Sequence, residues 1–285
     1  MSFAEIDISA LLLRFTLLLG SVASAGGVLF WATRPSTTTG LPAIRWQVIA
    51  GASIILIVEP FRYIQFQLAI SAGDLGLAFD PSMRWVAFET AMGQSSGMRW
   101  AAAFVLLLSG LRYRAVGVVG AIAIVASFAL EGHTASYEGQ RWLVAGLLVL
   151  HLVVAHWWIG ALIPLRAAIT SSGKNEIADL FDWFGARAAR AVVVLVLAGS
   201  VLLGMLTSWR LDLTNTYQIA FVLKLAGFAT ILGIAVRNKF HWTRMLRTDP
   251  SRGQAGLRKS LSVETVVAVL ILFATALVTS FPPTG

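Results

Sequence analysis

Between Arg141 and Arg166 the chain runs for 24 residues without a formal charge, WLVAGLLVLHLVVAHWWIGALIPL. As an α-helix this segment is about 36 Å long, more than the roughly 30 Å hydrocarbon core of a bilayer. The run therefore reads as a transmembrane helix. It carries His151 and His156, two of the four histidines in the chain, near mid-membrane, and His133 lies just upstream at the mouth. An imidazole at that depth has no water to satisfy its nitrogens, so each must meet a protein partner, a cavity or a metal.

The rest of the chain has the same character. Of 285 residues, 57% are hydrophobic and 13% charged, and the apolar residues come in long blocks rather than amphipathic stripes. Too apolar for one soluble core, the chain is expected to be an all-α, polytopic membrane protein. Its net charge of +8 is read as the cytoplasmic excess of a membrane protein, not as a nucleic-acid surface. With no cysteine there are no disulfides, thiolate metal sites or cysteine nucleophiles, which leaves His, Met and carboxylates as ligands. No phosphate-binding loop occurs, and no enzymatic activity is expected. The opening MSFAEIDISALLLRF has acids where a signal peptide needs basic residues, so it reads as a retained first span.

Eight transmembrane helices are expected, at roughly 8–33, 44–64, 94–111, 115–131, 142–165, 186–209, 216–236 and 261–281. Placing the N-terminus outside puts fifteen of the 22 Lys and Arg on the cytoplasmic side and eight of the 14 acids on the other, so an N-out, C-out topology is expected. Glu59-Pro60 should interrupt the second span near its outer end. Residues 65–93 should lie on the outer membrane surface in pieces. The stretches 166–185, mixed in charge, and 237–260, strongly basic, both read as solvated loops touching anionic lipid. Aligning Arg99 with Lys224 suggests a 4+4 parallel internal repeat within one integral membrane domain, with residues 1–135 as the first four-helix half and 136–285 as the second.

Intramembrane charges form a second set of candidates. Arg14, Glu59, Arg99 and Lys224 fall in the outer third of their spans, and Glu264 in the first turn of span eight at its inner end. Snorkelling bases and a carboxylate meeting a helix dipole would account for them structurally. The functional alternative is a gate in which Glu59 pairs with Lys224 or Arg99, or carries a proton. His151 and His156, five residues apart, point about 140° from each other and lie about 7.5 Å apart along the helix, an arrangement ill suited to one ion. The two could serve as metal ligands at successive sites in a pathway, or one could hydrogen-bond a neighbouring helix while the other faces the cavity, and the hydrogen bond is the expected role for His156. Most of the ten tryptophans read as an interfacial belt, whereas Trp157 and Trp158 lie too deep for that.

Gly132-His133 after the fourth helix, then His151, Trp158, Gly160 and Pro164 in HLVVAHWWIGALIPL, resemble the copper resistance protein D family. Thr90, Gly93 and Arg99, Tyr217 with Lys224, and the ending LRKSLSVETVVAVLILFATALVTSFPP with Glu264 extend the resemblance over most of 90–283. It is weaker over the first two spans. The resemblance implies a bacterial inner-membrane protein that helps to move copper beside a periplasmic copper-binding partner. His133 matches the family's glycine-histidine pair and His151 its helix-five histidine. His156 departs from the family pattern, where a small or apolar residue is usual.

Copper, as Cu(I) or Cu(II), takes thioether or imidazole donors. On the outer side the chain offers Met83, Met92, Met98 and His133, with Met205 near the outer end of span six. The leading expectation is copper capture near His133 and transfer to His151. A rival is a b-type cytochrome with histidine-ligated haem. His133 and His151 differ in depth by roughly 13 Å, which counts against that pairing. A third reading is an accessory subunit of a larger membrane complex, with the histidines satisfied by hydrogen bonds. Lipid is an expected partner, and oligomeric state is left open.

Overall fold

The structure, a computed structural model, describes residues 7–35, 41–109, 111–132, 139–171, 173–207, 209 and 216–281. Among these the chain is helical and has no strand. Helix α1 spans Ile8–Thr33, α2 Leu41–Ile70, α3 Leu75–Ala78, α4 Pro81–Glu89, α5 Ala91–Ser109 and α6 Arg114–Ser127. Helix α7 spans Arg141–Ser171, α8 Lys174–Leu206, α9 Tyr217–Thr248 and α10 Pro250–Val278. Six of them, α1, α2, α7, α8, α9 and α10, are long and apolar enough to cross a membrane. Large apolar side chains such as Ile57, Leu108, Val119, Leu197, Val266 and Leu270 face outward from the bundle, as lipid contact requires.

Residues 7 and 281 lie on one face of the bundle, called here the terminal face. Asp7 caps α1 by accepting from the N–H groups of Ser9 and Ala10. Hydrogen bonds from the Ser9 hydroxyl and then from the Ala10 N–H hold its carboxyl below the usual carboxylate range. Gln65 Nε2 reaches the same carboxylate at 2.9 Å and ties the end of α2 to the start of α1. Arg14 donates to the Thr279 carbonyl and, at 3.1 Å, to the Ser280 hydroxyl, closing α1 onto the C-terminal end of α10.

Small residues let three helices meet at backbone distance. Helix α1 contains a π turn at Val22–Gly26. A Cβ on Gly26 would overlap the His156 carbonyl, one on Gly160 would overlap the Gly26 backbone, and one on Gly51 would overlap the Ser24 amide. Such contacts are how helices pack where lipid tails are as apolar as the side chains.

Two prolines sit inside helices, and each frees a carbonyl four residues earlier. Pro60 does not interrupt α2 as expected: the helix continues to Ile70, and the freed Leu56 carbonyl accepts the Trp100 indole N–H at 3.2 Å. In α7, Pro164 frees the Gly160 carbonyl, which accepts from Gln47 Nε2 at 2.9 Å. The same amide nitrogen reaches Ala23 O in the π turn at 3.1 Å. A neighbouring helix thus restores what each proline removes.

The stretches expected as loops are largely helical. Helix α7 continues to Ser171 and α8 begins at Lys174, so most of 166–185 is helix. Helix α9 passes through a second π turn, Asn238–Trp242, to Thr248, and α10 starts at Pro250, capped by Asp249. Exposed ion pairs from Arg247 to Asp182 at 2.6 Å and to Asp179 at 3.3 Å join α9 to α8 there. Residues 65–93 form the end of α2, then α3, α4 and the start of α5, with Leu75, Phe79, Trp85 and Phe88 exposed.

Candidate functional site

The Trp100 to Leu56 bond fixes α5 against α2 and so places Arg99, one residue earlier, opposite Glu59. Arg99 is fully buried. Its guanidinium lies 3.1 Å from Glu59 and 2.9 Å from Glu131, and its flat face covers the Phe128 ring at 4.7 Å. Arg62, one turn on from Glu59, completes the cluster at 3.0 Å from Glu59 and 3.6 Å from Glu131. Ser96 donates to Glu59 at 2.8 Å and Ser95 to Glu131 at 3.1 Å. Two guanidiniums and two carboxylates neutralise one another, the arrangement that buried charge demands. Met92 lies beside them, its sulfur 3.9 Å from an Arg62 nitrogen.

The local sequence builds this cluster. Glu59 and Arg62 are one turn apart on α2, and Ser95, Ser96 and Arg99 share a face of α5. Thr90 caps α5 through its hydroxyl, which accepts the Gly93 N–H at 3.1 Å, and a Cβ on Gly93 would overlap Ala87 and Phe88. Glu131 follows α6 in a turn that ends at Gly132, whose φ of +74° favours glycine. His133 lies outside the described residues.

The two helix-seven histidines face different neighbours. His156 is buried. Its Nδ1 lies 2.7 Å from the Leu152 carbonyl and its Nε2 3.1 Å from the Ser21 hydroxyl on α1. Because a carbonyl only accepts, Nδ1 holds the proton and Nε2 accepts from serine, so both ring nitrogens are used. His151 points to α8, with Nδ1 3.2 Å from Leu195 O and its ring against Gly199. By the same logic its Nε2 keeps a lone pair, and no hydrogen bond reaches that atom among the described residues. Lys224 of α9 lies within electrostatic reach of His151. It is not in the Glu59 cluster and faces the Phe221 ring at 5.8 Å.

Met83, Met98 and Met205 are half-buried on α4, α5 and α8. Trp157 donates to Thr33 at 2.7 Å and stacks on Phe184, and Trp158 meets Phe228 edge-on. Glu264 does not sit in a first turn: α10 begins fourteen residues earlier, at Pro250. Its partner is the Asn238 amide at the second π turn.

Family models account for most of the chain. One for the copper resistance protein D-like N-terminal domain matches residues 5–143, and one for copper resistance protein D matches 178–278. The chain belongs to the copper resistance protein D family. No curated protein and no solved structure matches it. Membership makes this a multi-pass membrane protein connected with copper resistance. In this copper resistance protein D family member, Thr90, Gly93, Arg99 and Glu131 fall within the N-terminal match, and Lys224 and Glu264 within the second. His151 and His156 lie between the two matches. Among the described residues no three His or carboxylate side chains converge in a way that could hold a metal.

Arg62 and Glu131 are the cluster members that sequence reasoning missed. Neither stands among the intramembrane charges singled out from the sequence. The signal for Arg62 was its one-turn spacing from Glu59; Glu131 carried none, because its place depends on how the turn after α6 folds back on α5.

Proposed function

We propose that this protein takes copper at the terminal face and passes it to His151, moving it across a bacterial inner membrane. The observation that carries this reading is the Nε2 lone pair of His151, which no hydrogen bond reaches among the described residues, on a ring held in one orientation by the Leu195 carbonyl. A neutral imidazole with its second nitrogen anchored to a carbonyl is the arrangement that metal-ligating histidines use. His133 and the thioethers of Met92, Met98 and Met205 supply capture near the mouth, and His156 serves the helix contact with Ser21. In this reading the terminal face is periplasmic, where a copper-binding partner delivers the ion. Helices α5 and α6 also cross, giving eight spans in two parallel halves, 1–135 and 136–285. The Glu59–Arg99 cluster holds the outer ends of α2, α5 and α6 together around the entrance, and no ATP is consumed.

The test is copper uptake into proteoliposomes. Wild-type protein should carry copper down its gradient, and H151A, folded and inserted, should lose the flux at least tenfold. Equal flux through H151A would overturn the route.

A further inference from the structure

Glu264 is 2% exposed and lies about 21 Å along α10 from the helix start at Pro250. The macrodipole acts over the first turn only, so it does not stabilise a charge here. Nor does a cation. Glu59 and Glu131 each meet two arginines, but Glu264 forms no ion pair among the described residues. The basic groups on the elements packed around it point elsewhere. On α9, Arg237, His241 and Arg244 are exposed and Lys239 lies over Phe240. On α7, Arg166 is exposed. On α10 itself, Arg258 and Lys259 are exposed. Helix α1 meets α10 nearer the terminal face, where its one charge, Arg14, is bonded to Thr279 and Ser280.

What faces Glu264 is neutral. Asn238 donates its amide N–H to one carboxyl oxygen. The amide oxygen of Asn238 is buried and has no hydrogen-bond partner among the described residues. An ionised carboxylate has nothing to offer that oxygen, whereas a carboxylic acid has an O–H. One proton on Glu264 therefore removes an uncompensated buried charge and also supplies the donor that the orphaned acceptor lacks. Asn238 opens the second π turn of α9, and the Thr243 hydroxyl donates to its backbone carbonyl at 2.9 Å. The pair thus joins α10 to the point where α9 departs from regular geometry, and π turns recur at functional sites.

We infer that Glu264 and Asn238 form a proton-binding site, in which Glu264 is the neutral acid hydrogen-bonded to the Asn238 amide and exchanges its proton with water at the face opposite the termini. No electron moves: a proton leaves water for the carboxyl oxygen, and returns when the pair opens. Its bearing on cation movement, as the charge given up when a cation crosses, rests on the copper reading above. The proton site itself does not.

The test needs no copper. Infrared difference spectra of the purified full-length protein against E264Q, at neutral pH in H2O and in D2O, should show one protonated-carboxyl C=O band per chain in the wild type. That band should move in D2O. Carboxylate bands in its place would overturn the inference. N238L retains Glu264 and removes its partner, so the acid band should shift to higher frequency. If E264Q does not fold, wild type against N238L gives the same information, and an identical spectrum contradicts the pair.

Discussion

The Arg99 guanidinium meets the Glu59 carboxylate at 3.1 Å with no exposure to solvent, and the neighbouring Trp100 closes the carbonyl that Pro60 leaves open one turn before. Helix α5 is therefore docked on α2 by an ion pair and a repaired hydrogen bond side by side. Each contact makes a separable prediction.

Replacing Arg99 alone leaves two carboxylates to share the single Arg62 guanidinium. R99M should cost about 3–5 kcal/mol, the usual penalty for breaking a buried pair, while the charge-balanced combination of R99M with E131Q, which keeps the Arg62–Glu59 pair, should recover part of it. Thermal unfolding in detergent of the single and combined variants measures the coupling. Additive losses would mean the charges do not act as a unit.

Trp100 and Pro60 are linked through Leu56. W100F removes the donor and should cost roughly 1–3 kcal/mol in the native sequence, but much less in P60A, where a backbone N–H regains the Leu56 carbonyl. A double-mutant cycle by thermal melting reads the difference. An equal loss in both backgrounds would show that the indole N–H does not serve this role.

Gly160 is set against Gly26 so closely that one methyl group should part α1 from α7. G160A should destabilise by about 3 kcal/mol, since overpacking at a backbone contact leaves no side chain to yield. By contrast G146A, where a Cβ meets nothing, should be neutral. Melting temperatures that fall equally would contradict the close crossing.

The absence of native cysteine makes the orientation directly measurable. Single cysteines at Ser82 on α4 and Ser251 on α10, both exposed, lie on opposite faces. An impermeant thiol reagent applied to intact spheroplasts should label S82C and spare S251C. The reverse pattern would place the terminal face inside.

How much of this was legible in the sequence follows from the physics of each element. The apolar blocks announced α1, α2, α7, α9 and α10, because a long, predominantly apolar run has few ways to satisfy its backbone other than a helix. The ends were less legible. Residues 237–260 are basic and polar, so they read as loop, yet α9 continues through a π turn and α10 begins at Pro250 with Asp249 as its cap. That one-sided view also misplaced Glu264 in a first turn. Pro60 read as a break because its compensation, the Trp100 indole, comes from forty residues away. The angular separation of His151 and His156 was readable from their spacing. Their partners, Leu195 and Ser21, were not, since those depend on which helices flank α7.

The central claim is that copper binds through His151. Metal analysis by mass spectrometry and a visible spectrum, on one detergent-purified sample of wild type, H151A and H156A, tests it most directly. The account predicts about one copper per chain without a Soret band in wild type, loss of that copper in H151A, and retained copper in an H156A variant that melts earlier. Unchanged copper in folded H151A, or haem iron in place of copper, would contradict it.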